Sequence, residues 1–123
     1  MLNYKFLVVD DEADLVEDLV SLIKEDLPES TIHSTTSSLE AIDFCKANVY
    51  DIILSDFKMP ELNGDQMVLK IRELENDNAI ILSAHGEIPD VSLKEIKHVM
   101  IMNKPLQRDE YRKNIKILLS FKS

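Results

Sequence analysis

The sequence predicts an α/β domain built on a doubly wound, five-stranded parallel sheet with helices on both faces. Four short apolar segments are continuous rather than alternating, which is typical of strands buried on both faces of a parallel sheet. A fifth, more polar segment at 31–34 fits an edge strand. The five segments start at residues 6, 31, 52, 79 and 99. Each interval is long enough for one strand, one helix and two tight connections. The four apolar segments are 6–9, 52–54, 79–82 and 99–102.

The first two predicted helices follow the first and second strands. Pro28 marks the end of the first helix, since the residue before a proline disfavours helical geometry. Ser37 or Ser38 is expected to cap the second. The apolar stripe of the first helix consists of Leu15, Leu19, Leu22 and Ile23. The inner face of the second is expected to consist of Leu39, Ile42 and Cys45.

Three more helices complete the alternation of strands and helices. The fourth is predicted to be short, because Pro89, Val91 and Ser92 are poor helix formers. The inner face of the third helix is expected to consist of Met67, Val68 and Ile71. That of the fifth is expected to consist of Tyr111, Ile115, Leu118 and Leu119.

Length and composition restrict the class of protein. The 123 residues predict one domain over residues 1–123. A net charge of −9 disfavours nucleic acid as a partner. Only two glycines occur, which excludes a glycine-rich nucleotide-binding loop. No apolar segment is long enough to span a membrane. The lone cysteine and the absence of a secretory leader lead us to expect a cytoplasmic protein.

Polar residues follow the predicted strands and would meet at one edge of the sheet, because parallel strands share the edge where their carboxyl ends lie. Each has an ordinary structural explanation when taken alone. Aspartate commonly caps a helix, a serine can do the same, and a lysine before a proline fits a solvated turn. The residues at this edge are Asp10 and Asp11 after the first strand, Asp56 after the third, Ser83 after the fourth and Lys104 after the fifth.

Together these residues predict a metal and phosphate site. Two carboxylates about 6 Å apart repel by roughly 3 kcal/mol at an effective dielectric constant near 20, so three at one edge favour a bound cation. Mg²⁺ prefers oxygen ligands and combines one or two carboxylates with a phosphate. A phosphoryl group could then be held by the metal, Lys104 and the Ser83 hydroxyl.

The ordered set of motifs resembles the receiver domain of two-component response regulators over essentially the whole chain. The set comprises Asp10 and Asp11 after a strand, Asp56 followed by Met59, Pro60 and Gly64, Ser83 with Ala84, and Lys104 with Pro105. The resemblance implies a single-domain, chemotaxis-regulator-like protein with a flavodoxin-like (βα)5 fold and strand order 2-1-3-4-5. It also implies a signalling switch rather than an enzyme.

The resemblance assigns a role to each residue. Asp56 would accept phosphate as the nucleophile, with Lys104 neutralising charge and Ser83 hydrogen-bonding the attached phosphoryl group. Asp11 and Asp56 would bind Mg²⁺ directly. Asp10 would act mainly through water, and the backbone carbonyl of Lys58 would complete the protein ligands. Gly64 would permit the sharp turn before the third helix.

Two features depart from the family's usual pattern. The position three residues before the lysine, normally Tyr or Phe, is Ile101, which puts the aromatic part of the family's switch in question. The two positions that tune loss of the phosphoryl group within the family are Lys58 and His85. Their effect on hydrolysis is left open.

The resemblance implies a sensor histidine kinase or a histidine phosphotransfer protein as phosphodonor and a separate protein as output partner. Only two residues follow Phe121, so no attached effector is expected. The oligomeric state is left open.

Two alternative functions remain at this stage. A degenerate receiver would bind partners without phosphate, a hypothesis motivated by Ile101. A phosphohydrolase of the haloacid dehalogenase type would also use an aspartate nucleophile with Mg²⁺. That enzyme class places a second aspartate where Lys58 stands, which argues against it. Flavin binding is disfavoured because three acidic residues would repel a flavin phosphate.

Overall fold

A five-stranded parallel sheet forms the centre of the computed structural model, which describes residues 3–74, 78–84, 98–103 and 107–120. The strand order is β2-β1-β3-β4-β5, and every neighbouring pair is parallel. The predicted fold class and strand order are therefore confirmed. The strands are β1 (Lys5–Val9), β2 (Thr31–Thr35), β3 (Ile52–Asp56), β4 (Ala79–Ala84) and β5 (Val99–Asn103).

Four helices in the described part of the chain cover the sheet. The helix predicted between the fourth and fifth strands lies outside the described residues, so the predicted fifth helix is named α4 here. The helices are α1 (Ala13–Asp26), α2 (Ser38–Ala47), α3 (Gly64–Glu73) and α4 (Arg108–Ser120). None of the described helices combines the length and the apolar character that crossing a bilayer requires.

The sheet separates two apolar cores, because successive side chains of a strand point to opposite faces. The α1–α4 core lies under helices α1 and α4, and the α2–α3 core lies under the other two. The strand residues of the α1–α4 core are Phe6, Val8, Ile52, Leu54, Ala79, Ile81 and Met102. Those of the α2–α3 core are Leu7, Val9, Ile53, Ile80 and Leu82. The central strands β1, β3 and β4 are thus buried on both sides, as their continuous apolar sequence predicts.

The α2 helix shows where the sequence-based prediction was wrong. Ser37 caps the helix, its side chain accepting a hydrogen bond from the Glu40 amide. The predicted inner residue Leu39 is 50% exposed, whereas Ser38 is fully buried. The Ser38 hydroxyl accepts a hydrogen bond from the Leu62 amide, which satisfies it at this buried position. The inner face therefore begins at Ser38 and continues through Ala41, Ile42 and Cys45.

Ion pairs join α4 to the end of α1. The Arg112 guanidinium donates to Asp26 Oδ2 at 3.0 Å and to Glu25 Oε2 at 2.9 Å. Arg108 reaches the same Glu25 oxygen at 3.0 Å. These ion pairs are partly exposed, so they contribute little to the free energy of unfolding. Their main effect is to align the two helices.

Candidate functional site

The alternation of side chains places three polar residues on one face of the sheet, at its carboxyl edge. Asp10 follows β1, Asp56 ends β3, and Ser83 lies near the end of β4. Each lies two residues after a strand residue of the α1–α4 core, so its side chain points to that same face of the sheet. In the β3–β4 register, Asp56 and Ser83 are direct partners. Three of the residues predicted to meet at the strand ends therefore lie together on the α1–α4 side.

Three carboxylates form the acidic part of this site. One oxygen atom each from Asp10, Asp11 and Asp56 lies within 4.8 Å of the other two. Asp10 is 3% exposed and Asp56 is 7% exposed, whereas Asp11 lies at the surface. Asp10 Oδ1 also accepts a hydrogen bond from the Glu12 amide at 2.9 Å. Oxygen donors at this spacing, open to solvent on one side, fit a hard divalent cation that retains water ligands.

Ser83 links the acidic cluster to the sheet and to α4. It is buried, and its hydroxyl donates to the Ser55 carbonyl at 3.5 Å, the long limit of a hydrogen bond. The Ser83 side chain also acts on the Tyr111 phenol, whose pKa it lowers. Ser83 is therefore buried beside Asp56, its partner in the register of the two strands.

Tyr111, which the sequence analysis assigned to the core, lies close enough to the acidic cluster for its charges to act on the phenol. Burial raises the pKa of its phenol to about 12; the Ser83 side chain lowers the value, and the charges of Asp10 and Asp56 raise it. The tyrosine is therefore neutral at physiological pH. The available signal was a tyrosine on a buried helix face, because a buried phenol hydroxyl requires a hydrogen-bond partner.

A cavity of about 190 Å³ opens between α1 and α4 beside this site. Asp10, Tyr111 and Arg108 contribute polar groups to its lining. The remaining lining residues are Leu15, Asp18, Leu19 and Leu22.

The loop that follows β3, residues 57–63, is hydrogen-bonded to β4 at one end and to the start of α2 at the other. The Phe57 amide donates to the Ser83 carbonyl at 2.8 Å, which continues the pairing of β3 with β4. Farther along the loop, the Leu62 amide donates to Ser38 Oγ at 3.0 Å. The Ser37 hydroxyl donates to Glu61 at 2.6 Å. Lys58, predicted to provide a backbone ligand, lies exposed in this loop.

Gly64 is required for space at the start of α3. A Cβ atom at this position would lie 3.0 Å from the Phe57 Cα and 3.0 Å from Leu82 Cδ2. The Gly64 amide donates to the Phe57 carbonyl, which closes the turn. The structure therefore supports the predicted need for glycine at position 64. The reason is the close approach of the Phe57 backbone, not an unusual backbone angle at Gly64.

Other predicted residues lie away from the described site or outside the described residues. Ile101 is half-buried and packs against the α2–α3 core, on the face opposite Tyr111. Lys104 and His85 lie outside the described residues, so their predicted roles remain predictions. Cys45 is buried in the α2–α3 core, as predicted.

Comparison with known proteins identifies what this arrangement resembles. The model of the response regulator receiver domain matches residues 6–116. Sporulation initiation phosphotransferase F of Bacillus subtilis is 28% identical over 125 residues, covering 100% of this chain and 99% of the relative. Transcriptional regulatory protein SrrA of Staphylococcus aureus is 34% identical over 86 residues. That match covers 70% of this chain and 35% of SrrA.

Solved structures share the same fold. A response regulator receiver domain protein from Clostridium thermocellum superposes with a TM-score of 0.84 at 23% identity, covering 97% of this chain and 96% of the other. The receiver domain of the Francisella response regulator 1452 gives a TM-score of 0.83 at 22% identity, covering 98% and 100%. At these identities the superpositions establish the architecture alone.

Proposed function

The chain belongs to the response regulator receiver family of two-component signalling, and on that premise we propose that Asp56 accepts a phosphoryl group in a Mg²⁺-dependent transfer. Receiver domains are signalling switches and are not generally classified as enzymes. The observation that carries the proposal is the convergence of Asp10, Asp11 and Asp56 to within 4.8 Å beside the Ser83 hydroxyl.

The proposed reaction is a phosphoryl transfer from a phosphohistidine. An Asp56 carboxylate oxygen attacks phosphorus, the P–N bond to the donor imidazole breaks, and the imidazole leaves with the electron pair and takes up a proton. The product is an acyl phosphate on Asp56. Ser83 is proposed to donate a hydrogen bond to one phosphoryl oxygen, and Lys104 to neutralise another.

The donor set of the site suits the metal of this family. Carboxylate and carbonyl oxygens are the ligands that Mg²⁺ accepts, and the ion supplies neutralisation of charge during the transfer. Asp11 is exposed and can bind the ion at little structural cost, whereas Asp10 and Asp56 are held in place by burial. The proposed protein ligands are the side chains of Asp10, Asp11 and Asp56 and the backbone carbonyl of Lys58.

The proposed partners follow from the same chemistry. A sensor histidine kinase or a histidine phosphotransfer protein supplies the phosphoryl group, and a separate output protein responds to it. Similarity to a phosphotransferase along 99% of its length favours a single receiver unit over residues 1–123 that passes the phosphoryl group to another protein. We place this signalling step in the cytoplasm.

Labelling by a small phosphodonor tests the proposal. Acetyl phosphate with Mg²⁺ should add one phosphoryl group to the wild-type chain, measured by intact mass, and chelation of Mg²⁺ should prevent it. The Asp56→Asn variant should remain unlabelled. The matched control is Asp51→Asn, which alters an aspartate just before the opposite end of β3 that binds the Lys5 amide. Full labelling of Asp56→Asn, or no labelling of the wild type, would contradict the proposal.

A further inference from the structure

The chain between β2 and α2, residues 35–38, contacts both segments that carry the acidic residues of the site. On one side, the Thr35 carbonyl accepts a hydrogen bond from the Asp10 amide at 3.3 Å. On the other side, the Ser38 hydroxyl accepts one from the Leu62 amide at 3.0 Å, in the loop that follows β3. We call residues 35–38 the β2–α2 junction. It spans the two parts of the chain whose carboxylates converge.

This span matters because the pairing of β1 with β3 stops short of the acidic residues. The last register partners of these two strands are Val9 and Ser55, which directly precede Asp10 and Asp56. Beyond that point the β1–β3 ladder no longer fixes the end of β1 against the loop after β3. Contacts outside the ladder must do so, and the β2–α2 junction supplies such contacts to both segments.

Ser38 provides the more protected of the junction's bonds to this loop. Its side chain is fully buried at the first position of α2, on the inner face of that helix. Leu62 is half-buried and packs against the α2–α3 core, so the bond between the two is shielded on the Ser38 side. The bond that Ser37 donates to Glu61 at 2.6 Å is exposed, and an exposed hydrogen bond is readily exchanged for one with water.

The loop that Ser38 holds also contains Lys58, whose carbonyl is a proposed metal ligand. The base of the loop is closed by a hydrogen bond from the Gly64 amide to the Phe57 carbonyl. Closure at the base fixes the two ends of the loop against each other, but it does not fix the tilt of the loop. The bond between Ser38 and Leu62 adds an attachment to α2, which resists that tilt.

We propose that Ser38 is a positioning residue for the divalent cation: by accepting from the Leu62 amide, it holds the loop so that the Lys58 carbonyl can complete the oxygen ligands. This role rests on the proposed function, which takes Lys58 and the acidic cluster as the ligands. Mg²⁺ demands a nearly ideal octahedron of oxygens, whereas Ca²⁺ accepts more variable geometry. A loosened loop should therefore weaken Mg²⁺ binding more than Ca²⁺ binding.

Titration of the full chain with the two ions tests this role. The affinities for Mg²⁺ and for Ca²⁺ are measured for the wild type and Ser38→Ala by NMR of the backbone amides, which also reports whether each variant is folded. Ser30→Ala is the matched control. Ser30 is also buried, and its hydroxyl donates to the Leu27 carbonyl at 2.7 Å, but it lies just before β2, at the opposite end of the sheet.

Ser38→Ala is expected to weaken Mg²⁺ binding by about three- to tenfold, the effect of one hydrogen bond. Ca²⁺ binding should weaken by less than about twofold. Ser30→Ala should change neither affinity. Unchanged Mg²⁺ affinity in Ser38→Ala, equal losses for the two ions, or a matching loss in Ser30→Ala would overturn the role of Ser38. A wild type that binds no Mg²⁺ would instead contradict the proposed function and remove the basis of this role.

Hydrogen exchange in the wild type keeps the test independent of any substitution. Coupling between two events is reciprocal, so if the bond between Ser38 and the Leu62 amide favours Mg²⁺ binding, bound Mg²⁺ must favour that bond by the same factor. Exchange of the Leu62 amide should therefore slow by about three- to tenfold at saturating Mg²⁺, and by less than about twofold at saturating Ca²⁺. A Leu62 exchange rate that Mg²⁺ leaves unchanged, or that both ions slow equally, would contradict the proposal.

Discussion

Asp56 at the end of β3 and Ser83 on β4 are direct partners in the parallel register. Neighbouring strands lie about 4.8 Å apart, so a group attached to Asp56 is necessarily adjacent to the Ser83 hydroxyl. The backbone fixes this relation, because the Phe57 amide donates to the Ser83 carbonyl at 2.8 Å. Pairing of the central strands therefore positions two side chains from distant parts of the sequence before any ligand arrives.

Loss of the Asp11 carboxylate should weaken Mg²⁺ binding. Asp11→Ala removes one of three converging carboxylates, and we expect at least about a tenfold loss of affinity, equivalent to about 1.4 kcal/mol, by titration calorimetry. Asp14→Ala, which removes an exposed acid from the first turn of α1, is the charge-matched control and should bind Mg²⁺ nearly as the wild type does. Unchanged affinity in Asp11→Ala would remove Asp11 from the set of ligands.

Substitution of Gly64 should destabilise the fold even though alanine favours helices. Helix propensity alone predicts a gain of up to about 1 kcal/mol for Gly64→Ala. The added Cβ would lie 3.0 Å from the Phe57 Cα, which belongs to the backbone and cannot turn away. Overpacking should dominate, with a net loss of about 1–3 kcal/mol in urea unfolding. Lys70→Ala, on the exposed face of α3, should change stability by less than about 0.5 kcal/mol.

Cys45 should make stability depend on alkaline pH. Burial raises the pKa of its thiol from 9.0 to about 11, so the unfolded chain releases the proton first as the pH rises. This contribution to stability is complete below pH 9 and is lost as the pH rises through 11. Cys45→Ala lacks this pH-dependent contribution. The difference in free energy of unfolding between the wild type and the variant should therefore shrink by up to about 3 kcal/mol between pH 8 and pH 11. A deficit independent of pH in urea unfolding would contradict this.

The ion pairs between α1 and α4 should contribute modestly and depend on salt. Arg112→Ala removes contacts with both Glu25 and Asp26, and we expect a loss of about 1 kcal/mol at low ionic strength. The loss should shrink in high salt, because these groups are partly exposed. Lys46→Ala removes a more exposed pair with Asp43 and should have no measurable effect. Equal losses at low and high salt would indicate that Arg112 acts through packing instead.

The strands and the position of the site could be predicted from the sequence because both depend on simple rules. Apolar runs bounded by turns define buried strands, and parallel strands bring their carboxyl ends to one edge. Asp10, Asp56 and Ser83 therefore lie together where the order of the strands requires. The inner face of α4, including Tyr111, also follows its helical spacing.

What could not be predicted depends on contacts between elements that are distant in the sequence. Leu39 has the hydropathy of a core residue, but Ser38 takes the buried position because the Leu62 amide supplies its hydrogen bond. The charges that act on Tyr111 likewise come from Asp10 and Asp56, which lie far from it in the sequence, and periodicity alone does not bring them together. Lys104 lies outside the described residues, and its role stays a prediction.

The loop after β3 is hydrogen-bonded at two points to the start of α2, so the two segments should move together. Ser38 receives the Leu62 amide, and Ser37 both caps α2 and donates to Glu61. Any displacement of the chain just beyond Asp56 must therefore pull on the cap of α2 or break these bonds. A change of charge at Asp56 that displaces this loop would therefore also disturb the start of α2.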